Sequence, residues 1–156
     1  MISAVFDTTT LLQAATSRNG PAAACLAFVD SGQVSLPVSA LTLDEIRDVL
    51  QRPAIRKAFP KLSDENIRDF LDHLVEKGRM VDDVPAVYHF PRDPADEPYI
   101  NLAICTSASY IVSRDNDLLD LMNDLAFRKA HPGIQILDPV AFLKVVRAEA
   151  RRSTGP

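Results

Sequence analysis

Residues 1–10 read MISAVFDTTT, a short apolar run that ends at an acidic residue, Asp7. The run at residues 2–6 contains β-branched and aromatic residues, which favour a strand. Four more short apolar runs follow along the chain, separated by helical patterns, at residues 34–38, 87–90, 110–112 and 134–137. Strands that alternate with helices pair in parallel, because parallel neighbours need a crossover element between them. The sequence therefore predicts an α/β fold with a parallel sheet and helices on both faces.

The stretches between these strands carry helix signals. The predicted helices lie at residues 42–52, 54–59, 63–77, from 96 onward, and 140–151. Residues 42–45 (TLDE) have the form of a capping box, and the Arg52-Pro53 step interrupts the helix that they open. Gly78 is the stop signal for the longest amphipathic pattern.

The length and charge of the chain limit its class. With 156 residues it fits one domain, which we place at residues 1–150, followed by a basic polar tail at 151–156 that we expect to be frayed. The net charge of −4 argues against a protein that coats nucleic acid through a broad basic surface. It does not exclude a nuclease, because an enzyme that gathers acids to hold metal ions is negative at that one spot.

The N-terminus lacks the basic start of a secretory signal, and no apolar stretch approaches the ~20 residues that span a bilayer. We therefore expect a cytoplasmic protein without membrane attachment. Cys25 and Cys105 are the only cysteines and have apolar neighbours, so we expect both to be reduced and buried.

Four acids fall where an open parallel sheet places its ligands. Asp7 follows the first predicted strand directly, and Asp115 comes three residues after the strand at 110–112. Glu45 and Asp96 begin helices that follow a strand and its loop, so all four side chains are expected at the carboxyl ends of the strands. Crowded anions repel each other unless a cation offsets them, and Mg²⁺ prefers oxygen ligands. Zinc is not supported, because the three histidines are scattered and no C-x-x-C occurs.

Each of these acids also has a purely structural interpretation. Glu45 fits the third position of a capping box, and Asp96, Asp115 and Asp117 can each cap a helix. Asp7 has no obvious capping role unless residues 8–10 open a helix. Taken one at a time, the acids do not decide between these interpretations.

At these positions the chain resembles the PIN-domain family, and within it the toxin branch related to VapC proteins. Residues 7–9 (DTT) are similar to the family's opening D-T-N motif, and residues 43–46 (LDEI) are similar to its second motif. Residues 93–97 (DPADE) and 110–119 (YIVSRDNDLL) resemble the third and fourth motifs, and residues 136–139 (ILDP) match the end of the pattern. No one motif is specific, but the ordered set spans nearly the whole chain.

The resemblance implies a three-layer α/β/α sandwich around a parallel sheet of about five strands, and a homodimer. It implies a ribonuclease that hydrolyses RNA phosphodiester bonds with Mg²⁺ or Mn²⁺, and an antitoxin protein as a partner. The acids carried over as catalytic and metal-binding residues are Asp7, Glu45, Asp96 and Asp115, with Asp117 as a further metal ligand. Asp96 is preferred to Asp93 because Asp96 begins a helix, whereas Asp93 precedes Pro94 and belongs to a turn that can move.

One residue departs from the family pattern, since Thr9 stands where Asn or Ser is usual. Its hydroxyl can still hydrogen-bond a carboxylate, so we expect Thr9 to support the site. Arg18, Arg92 and Arg114 lie near the motifs and are candidates for contacts with RNA phosphates, although exposed arginines are more often ordinary surface residues.

Two other functions stay open from the sequence. The first is a catalytically inert PIN-like module that binds protein or RNA, for which Thr9 is the only support. The second is a phosphatase or receiver domain, which also gathers acids at strand ends. Phosphatases of the haloacid-dehalogenase type need a second Asp where this chain has Thr9, and the late Lys of receivers is not evident.

Overall fold

The computed structural model of the protein describes residues 1–154 and has an α/β fold. Its strands, in chain order, are β1 (Ile2–Phe6), β2 (Val34–Ser35), β3 (Pro37–Val38), β4 (Arg79–Met80), β5 (Tyr110–Val112) and β6 (Gln135–Leu137). The central sheet has four parallel strands in the order β2-β1-β5-β6, and β3 pairs with β4 in a separate two-stranded parallel sheet. The predicted parallel sheet is confirmed.

Helices follow the strands and give the three-layer α/β/α arrangement that the sequence predicts. They are α1 (Thr8–Thr16), α2 (Pro21–Asp30), α3 (Ala40–Gln51), α4 (Pro53–Ala58), α5 (Asp64–Lys77), α6 (Glu97–Thr106), α7 (Asn116–Leu119), α8 (Leu125–Ala130) and α9 (Pro139–Thr154). Two 3₁₀ turns, at Pro94–Asp96 and Asp120–Asn123, precede α6 and α8 respectively. None of the helices within residues 1–154 is both long enough and apolar enough to cross a membrane.

One predicted strand, at residues 87–90, is not a strand in the structure. Side chains of α6 hold this segment instead, because Asn101 Oδ1 accepts a hydrogen bond from Tyr88 N at 2.8 Å. Glu97 Oε1 accepts another from Phe90 N, also at 2.8 Å. These bonds satisfy backbone N–H groups for which a neighbouring strand would otherwise have supplied the acceptors. The prediction was wrong because side-chain acceptors replaced the sheet partner.

The predicted strand at residues 34–38 is present as two short strands in one extended stretch. Its first part, β2, pairs with β1, and its second part, β3, pairs with β4. Between them, Leu36 O accepts a hydrogen bond from Arg79 N at 2.7 Å. The stretch thus joins the two sheets.

The start of α3 differs from its prediction in a way that bears on Glu45. The capping box is formed by Ser39 and Thr42, whose hydroxyl groups bond each other's backbone N–H groups at 3.2 and 3.0 Å. α3 therefore begins at Ala40, and the predicted box at residues 42–45 is wrong. Glu45 lies in the second turn, where the helix start does not need its carboxylate.

The last helix is longer at both ends than predicted. α9 runs from Pro139 to Thr154, so residues 151–154 continue the helix rather than forming a frayed tail. The side chain of Arg151 donates to Arg147 O at 3.3 Å, and the hydroxyls of Ser153 and Thr154 bond carbonyls one turn back. Residues 155 and 156 of the predicted tail lie outside the described residues.

The core lies between the sheet and its helices. Phe142 of α9 meets Phe6 of β1 and Tyr110 of β5 edge to face, with ring centroids 6.0 and 5.6 Å apart. Burying a large apolar side chain of this kind stabilises the fold by about 1.5–3 kcal/mol. Cys25 is buried as predicted, but the prediction for Cys105 was wrong. Cys105 lies in the last turn of α6, past the buried residues of that helix, and is exposed.

Candidate metal centre

The register of the central sheet places the first and fourth motifs side by side. β1 and β5 are neighbours, with Phe6 opposite Val112, so both strands end at the same edge. The backbone of Asp7 continues this pairing for one more residue, because Asp7 N donates to Val112 O at 3.1 Å. Ser113 and Asp115 follow β5 at that edge, as the carboxyl-end argument predicts.

Asp7 is fully buried and is held by three hydrogen bonds. Its Oδ1 accepts from Thr9 Oγ1 at 2.8 Å and from Thr10 N at 3.0 Å, and its Oδ2 accepts from Ser113 Oγ at 2.5 Å. Burial raises the pKa of Asp7, and these hydrogen bonds oppose the rise. Asp7 is also the N-cap of α1, so the capping role left open by the sequence applies here.

Two hydroxyl groups connect Asp7 to the fourth motif. Ser113 Oγ accepts from Asp115 N at 2.9 Å while donating to Asp7. Thr9 Oγ1 accepts from Arg114 N at 2.9 Å while donating to the same carboxylate. The hydrogen bond expected of Thr9 is therefore present. Ser113 was missed by the sequence reasoning, although its position directly after β5, opposite Asp7, was the available signal.

Three other acids gather beside this pair of strands. Each of Asp93, Asp96 and Asp115 offers a carboxylate oxygen, and these oxygens lie within 4.8 Å of one another. The Asp115 carboxylate caps α7 by accepting from Asp117 N, and the Asp93 carboxylate caps the 3₁₀ turn by accepting from Ala95 N. These two acids therefore also have a structural role. The group forms the geometric centre of the candidate site.

Asp96 differs from Asp93 and Asp115 because its carboxylate makes no capping bond within residues 1–154. The residue is only 5% exposed. Among the described residues, its Oδ2 is buried without any hydrogen-bond partner. The pKa of Asp96 is raised to about 9, first by burial, then by the adjoining carboxyl of Asp115 and by the charges of Asp93 and Asp7. A buried, unpartnered carboxylate oxygen is costly unless something binds it.

The residues present fit a hard divalent cation. The donors are all carboxylate oxygens, which Mg²⁺ and Mn²⁺ accept, and no cysteine or histidine belongs to the group. A cation would offset the repulsion between the acids and would give Asp96 Oδ2 the partner that it lacks.

Asp93 is the acid that the sequence reasoning set aside. It was assigned to a movable turn because it precedes Pro94, yet it is the N-cap of the Pro94–Asp96 turn. In a 3₁₀ turn, side chains three residues apart lie over one another, which brings Asp93 beside Asp96. The D-P-A-D spacing was the signal that could have identified it.

Glu45 lies near the group but outside it. Its side chain is half-buried, and burial raises its pKa, with Arg52 opposing the rise while Asp48 and Asp93 add to it. Glu45 is therefore close enough to Asp93 for the charge of Asp93 to affect its pKa.

Asp117 does not join the three-acid group. Its Oδ1 accepts from Arg92 Nη2 at 2.6 Å, and Asp120 Oδ2 lies 3.5 Å from the same nitrogen. Arg92, one of the three candidate RNA contacts, is therefore engaged by two carboxylates.

The other two candidate arginines lie in different surroundings. Arg114 is exposed next to Asp115, and its backbone bonds Thr9. Arg18 lines a cavity of about 690 Å³ between the end of α1 and the start of α5, and none of the site acids lines that cavity. The structure thus places Arg114 beside the acids and Arg18 at a separate surface.

Comparisons with known proteins agree with this arrangement. A family model described as a PIN domain matches residues 3–117, which is well over half of the chain and includes every acid of the site. Among curated proteins, none matches the chain significantly. PIN domains are commonly metal-dependent nucleases, and the acidic cluster is compatible with a metal ion. The matched region and the parallel α/β fold together show that the chain belongs to the PIN-domain family.

Proposed function

We propose that the protein is a metal-dependent ribonuclease that hydrolyses RNA phosphodiester bonds. The observation that carries the proposal is the Asp96 carboxylate, which is buried without a partner for Oδ2 inside a group of acids at the carboxyl edge of a parallel sheet. No amide or hydroxyl group within residues 1–154 hydrogen-bonds this oxygen, so it is available to a ligand. The raised pKa of Asp96 is typical of a functional site.

The residues that would hold the ion are Asp96, Asp115 and Asp93, with Asp7 and Glu45 beside them. Mg²⁺ or Mn²⁺, when bound, supplies charge stabilisation at phosphorus and lowers the pKa of water. The two carboxylate oxygens of Asp7 accept three hydrogen bonds, from Thr9, Thr10 and Ser113, so its orientation is fixed before any ligand arrives. Asp117 remains a weaker candidate as a ligand because Arg92 engages it.

Glu45 is suited to accept a proton at its carboxylate. It is half-buried at the rim of the acidic region, and its pKa is raised mainly by burial. A carboxylate with a raised pKa is a better base near neutral pH than an ordinary one. Arg114, exposed beside Asp115, is placed to contact a phosphate of the RNA.

The inert-module alternative loses its only support. It rested on Thr9 in place of Asn or Ser, and the Thr9 hydroxyl makes hydrogen bonds to both Asp7 and Arg114 N. The network that an active site needs is therefore compatible with threonine at this position.

The test is cleavage of a labelled single-stranded RNA with added Mg²⁺ or Mn²⁺ and with excess chelator. We expect cleavage that depends on the ion and disappears in Asp96→Asn. Asp44→Asn removes an exposed carboxylate of α3 that pairs with Arg47, and it serves as the matched control. Equal cleavage in chelator, or equal cleavage by both variants, contradicts the proposal.

We also propose that the ribonuclease acts in the cytoplasm as a homodimeric toxin with a protein antitoxin. The support is the resemblance of the ordered motifs to the VapC-related branch. Expression of the chain should arrest growth, and Asp96→Asn should not. Co-expression of a small protein encoded next to it should restore growth, and light scattering should give twice the chain mass. Normal growth with soluble, RNA-cleaving protein would remove the toxin role while leaving the ribonuclease.

A further inference from the structure

Arg92 connects the two chain segments that carry the site acids. It directly precedes Asp93, and its Nη2 contacts Asp117 Oδ1 at 2.6 Å and Asp120 Oδ2 at 3.5 Å. These carboxylates lie 25 and 28 residues further along the chain. One guanidinium therefore ties the loop before α6 to the α7 region.

The contact continues inward to the site. Asp117 N donates to Asp115 Oδ1 at 2.9 Å, so the residue that Arg92 holds also orients the Asp115 carboxylate. Asp115 N in turn donates to Ser113 Oγ, whose hydroxyl bonds Asp7. A connected set of bonds thus runs from the surface at Arg92 to the buried carboxylate of Asp7.

On the loop side, Phe90 is buried in the core, whereas Pro91, Arg92, Pro94 and Ala95 are exposed. Glu97 Oε1 holds Phe90 N, and Asp93 N bonds Phe90 O at 3.2 Å within the loop itself. An exposed ion pair adds little to stability, so this contact matters little for the fold as a whole. A metal site is more demanding, because its ligands must be held to within about 0.5 Å.

We infer that Arg92 is a positioning residue that sets the spacing of Asp93 and Asp96 against Asp115, rather than a contact for RNA. The inference rests on the proposed metal site. Both carboxylates contact one guanidinium nitrogen, Nη2, so a lysine ammonium could keep part of the contact, but the planar guanidinium holds a more fixed direction.

The test is a double-mutant cycle on metal affinity. Mn²⁺ binding is measured by calorimetry for the wild type, Arg92→Met, Asp117→Asn and the double variant. Each single change should weaken Mn²⁺ affinity by about tenfold, the range for residues that orient metal ligands. The double variant should be no weaker than Arg92→Met, because the two residues act through one contact. Arg92→Lys should recover part of the loss.

Arg47→Met is the matched control. The Arg47–Asp44 pair is as exposed on its arginine side, at 50% against 53% for Arg92, but lies outside the site. It should leave Mn²⁺ affinity unchanged. In RNA cleavage, Arg92→Met should lower kcat at saturating Mn²⁺ with little change in KM. A raised KM with unchanged Mn²⁺ affinity and a silent Asp117→Asn would instead show an RNA contact and overturn the inference.

Amide hydrogen exchange in metal-free protein separates this inference from the proposed function. Residues 90–96 should exchange faster in Arg92→Met than in the wild type, while the amides of α5 stay unchanged. If the wild type binds no Mn²⁺, both the proposed function and the inference that Arg92 positions metal ligands fail. The exchange rates then still report whether the contact of Arg92 with Asp117 and Asp120 exists. If the wild type binds Mn²⁺ and Arg92→Met binds it equally well, only the inference fails.

Discussion

Asp96→Asn should stabilise the metal-free protein, and by more as the pH rises. Folding raises the pKa of Asp96 from 3.8 to about 9, so protonated Asp96 stabilises the folded state. This stabilisation is fully present below the unfolded pKa and is lost as the pH rises through the folded pKa. Asparagine carries no proton to lose. The difference in unfolding free energy between the variant and the wild type must therefore grow with pH.

The size of the effect follows from the linkage of one proton. A single group changes stability by at most about 1.4 kcal/mol per pH unit, or about 2.7 kcal/mol between about pH 5.5 and about pH 7.5. For a chain of this size, that corresponds to roughly 5–11 °C in Tm. Because the neighbouring acids share the proton, this value is an upper limit.

The assay is thermal unfolding by circular dichroism in chelator at a series of pH values. Asp44→Asn, on the outer face of α3, is the control for the loss of any one carboxylate. Adding Mn²⁺ at about 1,000 times its Kd should reverse the order of stability, since a ligand at that concentration stabilises its binding state by about 4.1 kcal/mol, more than the pH effect. A difference between Asp96→Asn and the wild type that shrinks with pH, or that Asp44→Asn reproduces, would refute the reasoning.

Three further predictions concern the acids and hydroxyls around Asp96. Asp7→Ala should lower the free energy of unfolding by about 1–2 kcal/mol, because α1 loses its N-cap and Ser113 loses its hydrogen-bond acceptor. A urea titration that shows no loss of unfolding free energy would contradict this. Thr9→Ser should cleave RNA like the wild type, whereas cleavage by Thr9→Val should be strongly impaired. Equal cleavage rates for the two variants would show that the Thr9 hydroxyl has no role. Asp93→Asn should weaken Mn²⁺ binding measured by calorimetry. Asp82 is an exposed acid upstream of the site, so Asp82→Asn should leave Mn²⁺ binding unchanged. The opposite result would show that Asp93 is an ordinary loop residue.

The parts of the fold that the sequence predicted correctly are those decided by local pattern. Residues 2–6 and 110–112 are apolar and rich in β-branched or aromatic residues, and both became strands of the central sheet. Because parallel strands end at one edge, Asp7 and Asp115 were brought to the same region without any knowledge of strand order.

The wrong predictions share a cause, which is competition from a partner that local pattern does not reveal. Residues 87–90 read as a strand, but Asn101 and Glu97 supplied acceptors from a helix. The sequence indicated a capping box at residues 42–45, but the box that formed starts three residues earlier, at Ser39. The choice of Asp96 over Asp93 as a ligand stays a prediction, but the 3₁₀ turn that Asp93 caps, which local pattern did not indicate, brings its side chain beside Asp96.

The way in which α6 holds residues 87–90 affects how this part of the chain can vary. The hydrogen bonds that Asn101 and Glu97 make there go to main-chain groups, namely the N–H groups of Val87, Tyr88 and Phe90 and the carbonyl of Tyr88. These bonds do not depend on the side chains of Val87 and His89, and the one side-chain contact is a 4.0 Å approach of His89 Nδ1 to Glu97 Oε2 within residues 1–154. Val87 is 62% exposed, and the side chain of His89 is 81% exposed. Substitutions at these two positions should therefore be nearly neutral for folding while changing the surface just ahead of Arg92 and Asp93. Val87 and His89 are therefore positions close to the acids where sequence changes, or an attached fluorescent label, should be tolerated.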